Sequence, residues 1–269
     1  MKTHGIIIYS KIDAKKNYWF IDELIKYFAN YDIELNLVLD DEYSQYLTLN
    51  LDIKFAINRT RDYKISLDLE NKNIKVFNNQ IVNKIANNKY LSYLLFKKLN
   101  LPSMDTYLNI DSSLNYPLVM KEVTGHGGTE VYLVKSKEEI NSIYKLNKDK
   151  TYIFQPLCSN IGIDVRVYMF KNEPLVAFKR ESINGDFKSN YSLNHKASIF
   201  KLDDEMIGIC KKITKELNSD YIGVDFIFNN NKWVVNEIED PVGAWMIYDL
   251  TNIDLAKIIV DYILKELNI

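Results

Sequence analysis

PLVMKEVTGHGGTEVYLV, residues 117–134, decides how the rest of the chain is read. Two short β-prone runs, 117–121 and 130–134, flank the most glycine-dense segment of the sequence, with Gly125, Gly127 and Gly128 between them. Lys121 ends the first run. Glycines let a backbone approach a ligand and turn successive N–H groups toward an anion, and a fixed lysine neutralises phosphate charge. The pattern is not a P-loop, which needs Gly-Lys-Ser/Thr opening a helix, nor a dinucleotide fingerprint. Taken alone, it also suits a flexible hairpin.

Downstream lies an acidic constellation. GVDFIF places Asp225 inside an apolar strand, and WVVNEIED places Glu237 and Glu239 at the end of the next. Residues two apart in a strand share a face, so Glu237 and Glu239 project together, and a hairpin would bring Asp225 beside them. Three carboxylates on one face repel unless a cation sits among them. Oxygen-only ligands suit magnesium, with manganese as an alternative. Glu239 and Asp240 can equally be solvated residues at a strand end, a reading that suits Asp225 and Glu237 less well.

Outward from these segments, β-branched apolar runs alternate with helical periods, which predicts α/β and α+β architecture. GIIIY (5–9) reads as a buried first strand, followed by a helix through Phe20, Leu24 and Phe28 and a strand near 34–38. Between 40 and 80 only a short strand at 75–77 is legible. A helix from about Asn88 stops before Pro102. Ser136 with Glu139 has capping-box spacing and opens another helix. Strands recur at 152–155, 165–170 and 174–179. Asp203 or Asp204 caps a helix carrying Met206, Cys210, Ile213 and Leu217 on one face, and a last amphipathic helix runs through Leu255, Ile259 and Tyr262.

Composition narrows the function classes. The chain has 269 residues, 47% hydrophobic content and a formal net charge of −2, so it can bury a sizeable core and lacks a basic nucleic-acid footprint. Its opening residues are too polar for a signal peptide. No apolar run reaches the roughly eighteen residues a membrane span needs. Two cysteines are too few for a disulfide framework. The expectation is a cytoplasmic protein without nucleic-acid or membrane partners; a homo-oligomer stays open.

Several segments together resemble the ATP-grasp superfamily, in particular its ribosomal-protein-S6 glutamate ligase-like (RimK-like) branch. They are NNKYLSYLLFKKLNLPSMDTY, residues 117–134, YIFQPL followed by GIDVRVYMF, GDFKSN, and GVDFIF followed by NEIEDPVGA. They run in family order over roughly residues 88–267. The resemblance implies an ATP-grasp fold with a small N-terminal α/β (pre-ATP-grasp) lobe at 1–85 and two α+β lobes, 86–155 and 156–269, clasping ATP. It gives Lys89 and Lys121 to the nucleotide phosphates and puts Gly125, Gly127 and Gly128 in a mobile loop over them. Gln155, Pro156 and Leu157 fall on the adenine strand and Asp164 on the ribose. Arg180 is placed against the transferred phosphoryl group and the developing oxyanion. Lys188, Ser189 and Asn190 align near the phosphates, Asn190 in a catalytic role, and Asp225 and Glu237 match magnesium ligands. The implied activity is an ATP- and magnesium-dependent carboxylate–amine ligase working through an acyl-phosphate on a peptide, amino acid or small metabolite.

The chain departs from the branch in two places. The metal strand of the family reads Glu-x-Asn, whereas Glu239 here replaces the asparagine, and the segment is one residue short before Pro241. The basic-Gly-Gly segment expected after GDFKSN is YSLNHKA. Glu239 motivates an alternative, a non-catalytic ATP-binding regulatory protein on the same fold, and a grasp-fold kinase is a third reading. His126 and His195 are acid–base candidates by type, though lone loop histidines are more often incidental. Arg59 and Arg61 could hold a substrate carboxylate, with salt bridging the plainer role for at least one.

Overall fold

A computed structural model describes residues 3–49, 52–110, 114–128, 130–182 and 195–269. The chain forms two compact units, one of Met1–Lys84 with Asp240–Ile269, the other of Ile85–Glu239.

The first unit is built on a parallel sheet of four strands, β1 (Thr3–Tyr9), β2 (Ile33–Leu39), β3 (Ile53–Asn58) and β4 (Lys75–Phe77), in the order β2-β1-β3-β4. Ile6, Ile7 and Ile8 of β1 are fully buried, as expected of a strand flanked on both sides. The crossover helix α1 (Lys11–Ala29) starts at Ser10, whose hydroxyl accepts from the Asp13 amide at 3.1 Å. It buries Phe20, Leu24 and Phe28. Helices α2 (Tyr43–Leu49), α3 (Tyr63–Asn71) and α4 (Gln80–Ala86) complete the connections. In residues 40–80, where only one short strand is legible in sequence, the chain holds β3, two helices and β4. β3 is short and buried at five of its six positions, so it shows no alternation.

The C-terminal segment belongs to this unit as well. The 156–269 lobe expected from sequence is therefore divided, with 240–269 grouped with the N-terminal strands. The reason is apolar packing. After the short α8 (Trp245–Leu250), α9 (Leu255–Leu267) packs on α1 and buries Leu255, Ile259 and Ile263. Phe77 and Tyr262 meet edge to face at 5.7 Å, and Lys75 pairs with Glu266 at 2.5 Å.

The second unit starts with α5 (Lys89–Lys98), capped by the Asn88 side chain. Its first sheet is antiparallel, β6-β5-β7, from β5 (Leu118–Glu122), β6 (Val131–Val134) and β7 (Tyr152–Pro156). Helix α6 (Lys137–Leu146) begins at Ser136 and lays Ile140 on Leu118, Met120, Val134, Tyr152 and Phe154. Its second sheet has the order β10-β9-β8-β11-β12, from β8 (Ile163–Phe170), β9 (Glu173–Ser182), β10 (His195–Ile199), β11 (Tyr221–Asn229) and β12 (Lys232–Glu239). Helix α7 (Asp204–Leu217), capped by Asp203, packs on β8 and β9. Asn230 and Asn231, both with positive φ, make the two-residue turn between β11 and β12, the chemistry a type I′ hairpin favours. An isolated parallel β-bridge between Ser103 and Val235, with the Val235 amide bonded to the Pro102 carbonyl at 2.9 Å, ties the α5 exit to β12. Among the described residues no helix is long and apolar enough to cross a membrane.

Gly5 gives a direct test of packing in the first unit. A Cβ built there would come 2.3 Å from the Phe55 ring, which is fully buried. Gly5→Ala should lower the unfolding free energy by about 1–3 kcal/mol, the usual range for overpacking. Adding Phe55→Leu should recover part of that loss in a denaturant titration.

Candidate functional site

The site is built on one face of the five-stranded sheet. Along β8, Val165, Val167 and Met169 point to the side packed by α7 and are fully buried, so Asp164 and Arg166 share the opposite face. Register carries this face across the sheet. Arg180 of β9 stands opposite Asp164, Arg166 stands opposite Asp225 of β11, and Asp225 stands opposite Glu237 of β12. Glu239, two residues on, keeps the same side.

These side chains form a continuous ion-pair network. Arg180 binds Asp164 through two bonds, Nε at 2.6 Å and Nη2 at 2.8 Å, and reaches Asp225 at 3.0 Å. Arg166 grips Asp225 with Nε at 2.7 Å and Nη2 at 2.6 Å, and the same Nη2 lies 2.6 Å from Glu239. Exposure rises along the row, from 3% for the Arg180 side chain to 33% for Glu239, so the β12 end faces outward.

A bulge in β12 shapes the outer end. The pairing shifts between Asp225 and Phe226, which leaves Asn236 as the extra residue. Consecutive strand residues normally point to opposite faces. Here Lys121 Nζ, from β5 of the other sheet, reaches both Glu237 Oε1 at 3.0 Å and Asn236 Oδ1 at 3.4 Å. The bulge thus turns two neighbouring side chains toward one lysine.

Charge pairing sets the protonation of the row. Burial alone would raise the Asp225 carboxyl, yet Arg166 and Arg180 hold it below the ordinary aspartate value. Burial also works on Glu237 in the raising direction, but Lys121 and Lys89 overrule it and the net shift is downward. Burial would weaken the Arg166 guanidinium as an acid-bound cation; Asp225 and Glu239 more than offset it and keep it protonated.

The glycine loop lies next to this row. Lys89, the first residue of α5, donates its ammonium to the Gly125 carbonyl, and its amide bonds Val123 at 2.9 Å. A Cβ on Gly125 would fall 2.8 Å from the Glu122 carboxylate, and Gly127 and Gly128 have φ of 64° and 70°. A side chain would be strained by the backbone at Gly127 and Gly128, and at Gly125 it would require the Glu122 carboxylate to move. Gln155 of β7 donates to the Thr106 hydroxyl at 2.9 Å, and Pro156 and Leu157 beside it are half-buried.

Other residues singled out in sequence fall elsewhere. Lys188, Ser189 and Asn190 lie outside the described residues. Asp164, expected at a ribose, has both oxygens on Arg180, because register sets the two opposite each other. Arg61 pairs with Asp13 at 3.0 Å, and Arg59, buried, bonds the Tyr9 hydroxyl and the Val242 carbonyl at 2.7 Å. Asp240 is not a solvated strand end: it is 4% exposed and accepts from Asn78 and Asn83 at 2.9 Å each. Sequence reading passed over Arg166 and Asn236. The Asp-Val-Arg-Val alternation in β8 is a signal for the first; the bulge that recruits the second has none. Cys210 is fully buried and burial pushes its thiol up, in keeping with a structural role.

The acidic row offers only oxygen donors. Among the described residues no three histidine, cysteine, aspartate or glutamate side chains converge as a metal cage, since arginine and lysine nitrogens hold the intervening positions.

The fold is that of ATP-grasp ligases: a structure of the ATP-grasp ligase PsnB, complexed with a phosphomimetic variant of its minimal precursor, Mg and ADP, matches with a TM-score of 0.72 at 14% identity, over 99% of each chain. The family model for the RimK-like ATP-grasp domain matches residues 96–263, and the chain belongs to that family; its relatives include a probable alpha-L-glutamate ligase of Shewanella baltica, 27% identical over 58% of this chain and 53% of that one. Among its relatives is the uncharacterized MG011 homolog of Mycoplasma pneumoniae, 30% identical over 89% of this chain and 85% of that one. Human N-acetylaspartylglutamate synthase A is 29% identical over 57% of this chain and 40% of its own length.

Acid should act on this network in a defined direction. With folded values below the ordinary ones, Asp225 and Glu237 contribute stability that is complete above the usual carboxylate range and lost as pH falls below it through their lower folded values. Asp225→Asn should cost about 3 kcal/mol at neutral pH, since it leaves two buried arginines short of a counter-charge. Urea titrations between pH 7 and 3 should then show a shallower acid-side loss in the variant than in the wild type.

Proposed function

We propose that the protein is an ATP- and magnesium-dependent carboxylate–amine ligase that makes an amide through an acyl-phosphate on a peptide, amino acid or small metabolite. The observation that carries this reading is the meeting of Lys121 with Glu237 beside the arginine–carboxylate row, next to a loop where three glycines admit close approach. That combination supplies cations for phosphates together with carboxylates for a metal. The PsnB structure complexed with its precursor peptide and the ligase and synthase names among the relatives favour this substrate class.

In this reading Lys89 and Lys121 bind the nucleotide phosphates, and Gly125, Gly127 and Gly128 close over them. The β7 end at Gln155, Pro156 and Leu157 takes the adenine edge. Asp225, Glu237 and Glu239 would hold magnesium, whose chemistry is to neutralise charge on the transferred phosphoryl group; hard oxygen donors fit such a cation. A carboxylate oxygen of the first substrate attacks the γ-phosphorus, the bond to the β-phosphate oxygen breaks, and ADP leaves. The amine of the second substrate attacks the acyl carbon, loses its proton, and inorganic phosphate departs. Arg180, held by Asp164 and Asp225, is positioned by those bonds to meet negative charge without reorganising. Asp164 acts here as a positioning residue. Lys188 and Asn190 are assigned beside the phosphates on the resemblance.

The test is ATP consumption by the full chain with pools of carboxylates and hydroxylamine as the trapping amine. ADP should form together with a hydroxamate. Lys121→Ala should lower that rate at least about a hundredfold, as loss of a charge-stabilising group does. ATP with Mg²⁺ at about a hundred times the dissociation constant should stabilise the wild type by roughly 2.7 kcal/mol, and the variant far less. Unchanged turnover in Lys121→Ala sinks the site assignment, and a stable phosphorylated product in place of hydroxamate sinks the ligase in favour of a kinase.

A further inference from the structure

Arg166 and Arg180 both touch Asp225, but they are held differently. Arg180 has an independent anchor, two bonds to Asp164 on the neighbouring strand. Each carboxylate that Arg166 is paired with, Asp225 and Glu239, is one assigned above to a cation. Its Nη2 lies 2.6 Å from an oxygen of each, so one nitrogen spans the gap between β11 and β12. Lys121 is engaged on Glu237, which leaves Arg166 as the ion-pair partner of Glu239 among the described residues.

We propose that Arg166 is a resident counter-cation, holding the gap between Asp225 and Glu239 until a divalent ion displaces it. The inference rests on the metal assignment of the preceding reading. A guanidinium and a divalent ion cannot share one gap between two carboxylates, because both are positive and both need the same oxygens. Each therefore weakens the other by the same factor. Arg180 keeps Asp164 whichever cation Asp225 faces, so the arginine that moves is Arg166. The acid at position 239 follows from the same arrangement: Arg166 balances its charge while the metal is away.

Manganese serves as the probe, with binding to the full nucleotide-free chain read from loss of the free-ion electron paramagnetic resonance signal. Arg166→Gln should bind Mn²⁺ about tenfold more tightly than the wild type, or better, within the usual range of site coupling. Adding Glu239→Gln to that variant should remove the gain, which locates the ion in this gap. Where Arg166→Gln fails to give a cooperative melt, Arg166→Lys takes its place, since an ammonium lacks the second arm; it should still bind more tightly than the wild type. Wild-type affinity in the folded variant, or a gain that survives Glu239→Gln, overturns the proposal. Stabilisation of the wild type by ATP with Mg²⁺ reads the ligase assignment separately. Its failure beside a tighter Arg166→Gln removes the ligase and leaves the counter-cation, and the reverse pattern removes the counter-cation alone.

Discussion

Asp225 sits on a sheet whose other face is closed by α7, and its carboxylate accepts from two guanidinium groups at once. A charge so placed must be matched in position as well as sign, because an unpaired buried carboxylate would cost several kcal/mol. That requirement fixes register. Arg166, Asp225 and Glu237 stand in line across three strands, and Arg180 faces Asp164 on the next pair. A slip of one residue would exchange these side chains with Val165, Val224 and Ile238, putting ions against α7 and valines toward the lysine. The Asn230–Asn231 turn and the bulge at Asn236 are the local devices that hold the line.

Around this row the other parts of the site take their places by simple means. Lys121 arrives because β5 ends beside β12, and Lys89 because the α5 amide bonds back to Val123. The glycines suit left-handed backbone in two cases and, in the third, leave room for the Glu122 carboxylate. Family membership and these contacts meet in the same residues, so the chemistry proposed for the row draws on groups whose positions the sheet itself dictates.

How much of this could be read from sequence differs by element. The strand carrying Asp225 and the acidic strand after it were legible, since a charge inside an apolar run stands out; their pairing was an open condition that the Asn230–Asn231 turn meets. The glycine loop was legible from composition, and the caps of α6 and α7 from Ser136 and Asp203. β3 was not, because a short strand buried on both faces has no period. Nor was the return of 240–269 to the first unit, which depends on α9 meeting α1 across most of the chain, a contact no local pattern encodes. Arg166 looked like an ordinary strand arginine until register put it opposite Asp225. Asn236 was invisible because a bulge leaves no mark in alternation.

The pairing of β8 with β11 also sets an order of assembly. Arg180 and Asp164 are 16 residues apart and meet within one hairpin, whereas Arg166 and Asp225 are 59 apart. Closing the longer loop costs roughly 1 kcal/mol more in chain entropy, which favours forming the two hairpins before docking them. Docking in a wrong register would bury Asp225 against valine with no cation in reach. The ion pairs that equip the sheet for chemistry thus also penalise misaligned pairings, since each misplaced charge would be buried without its partner.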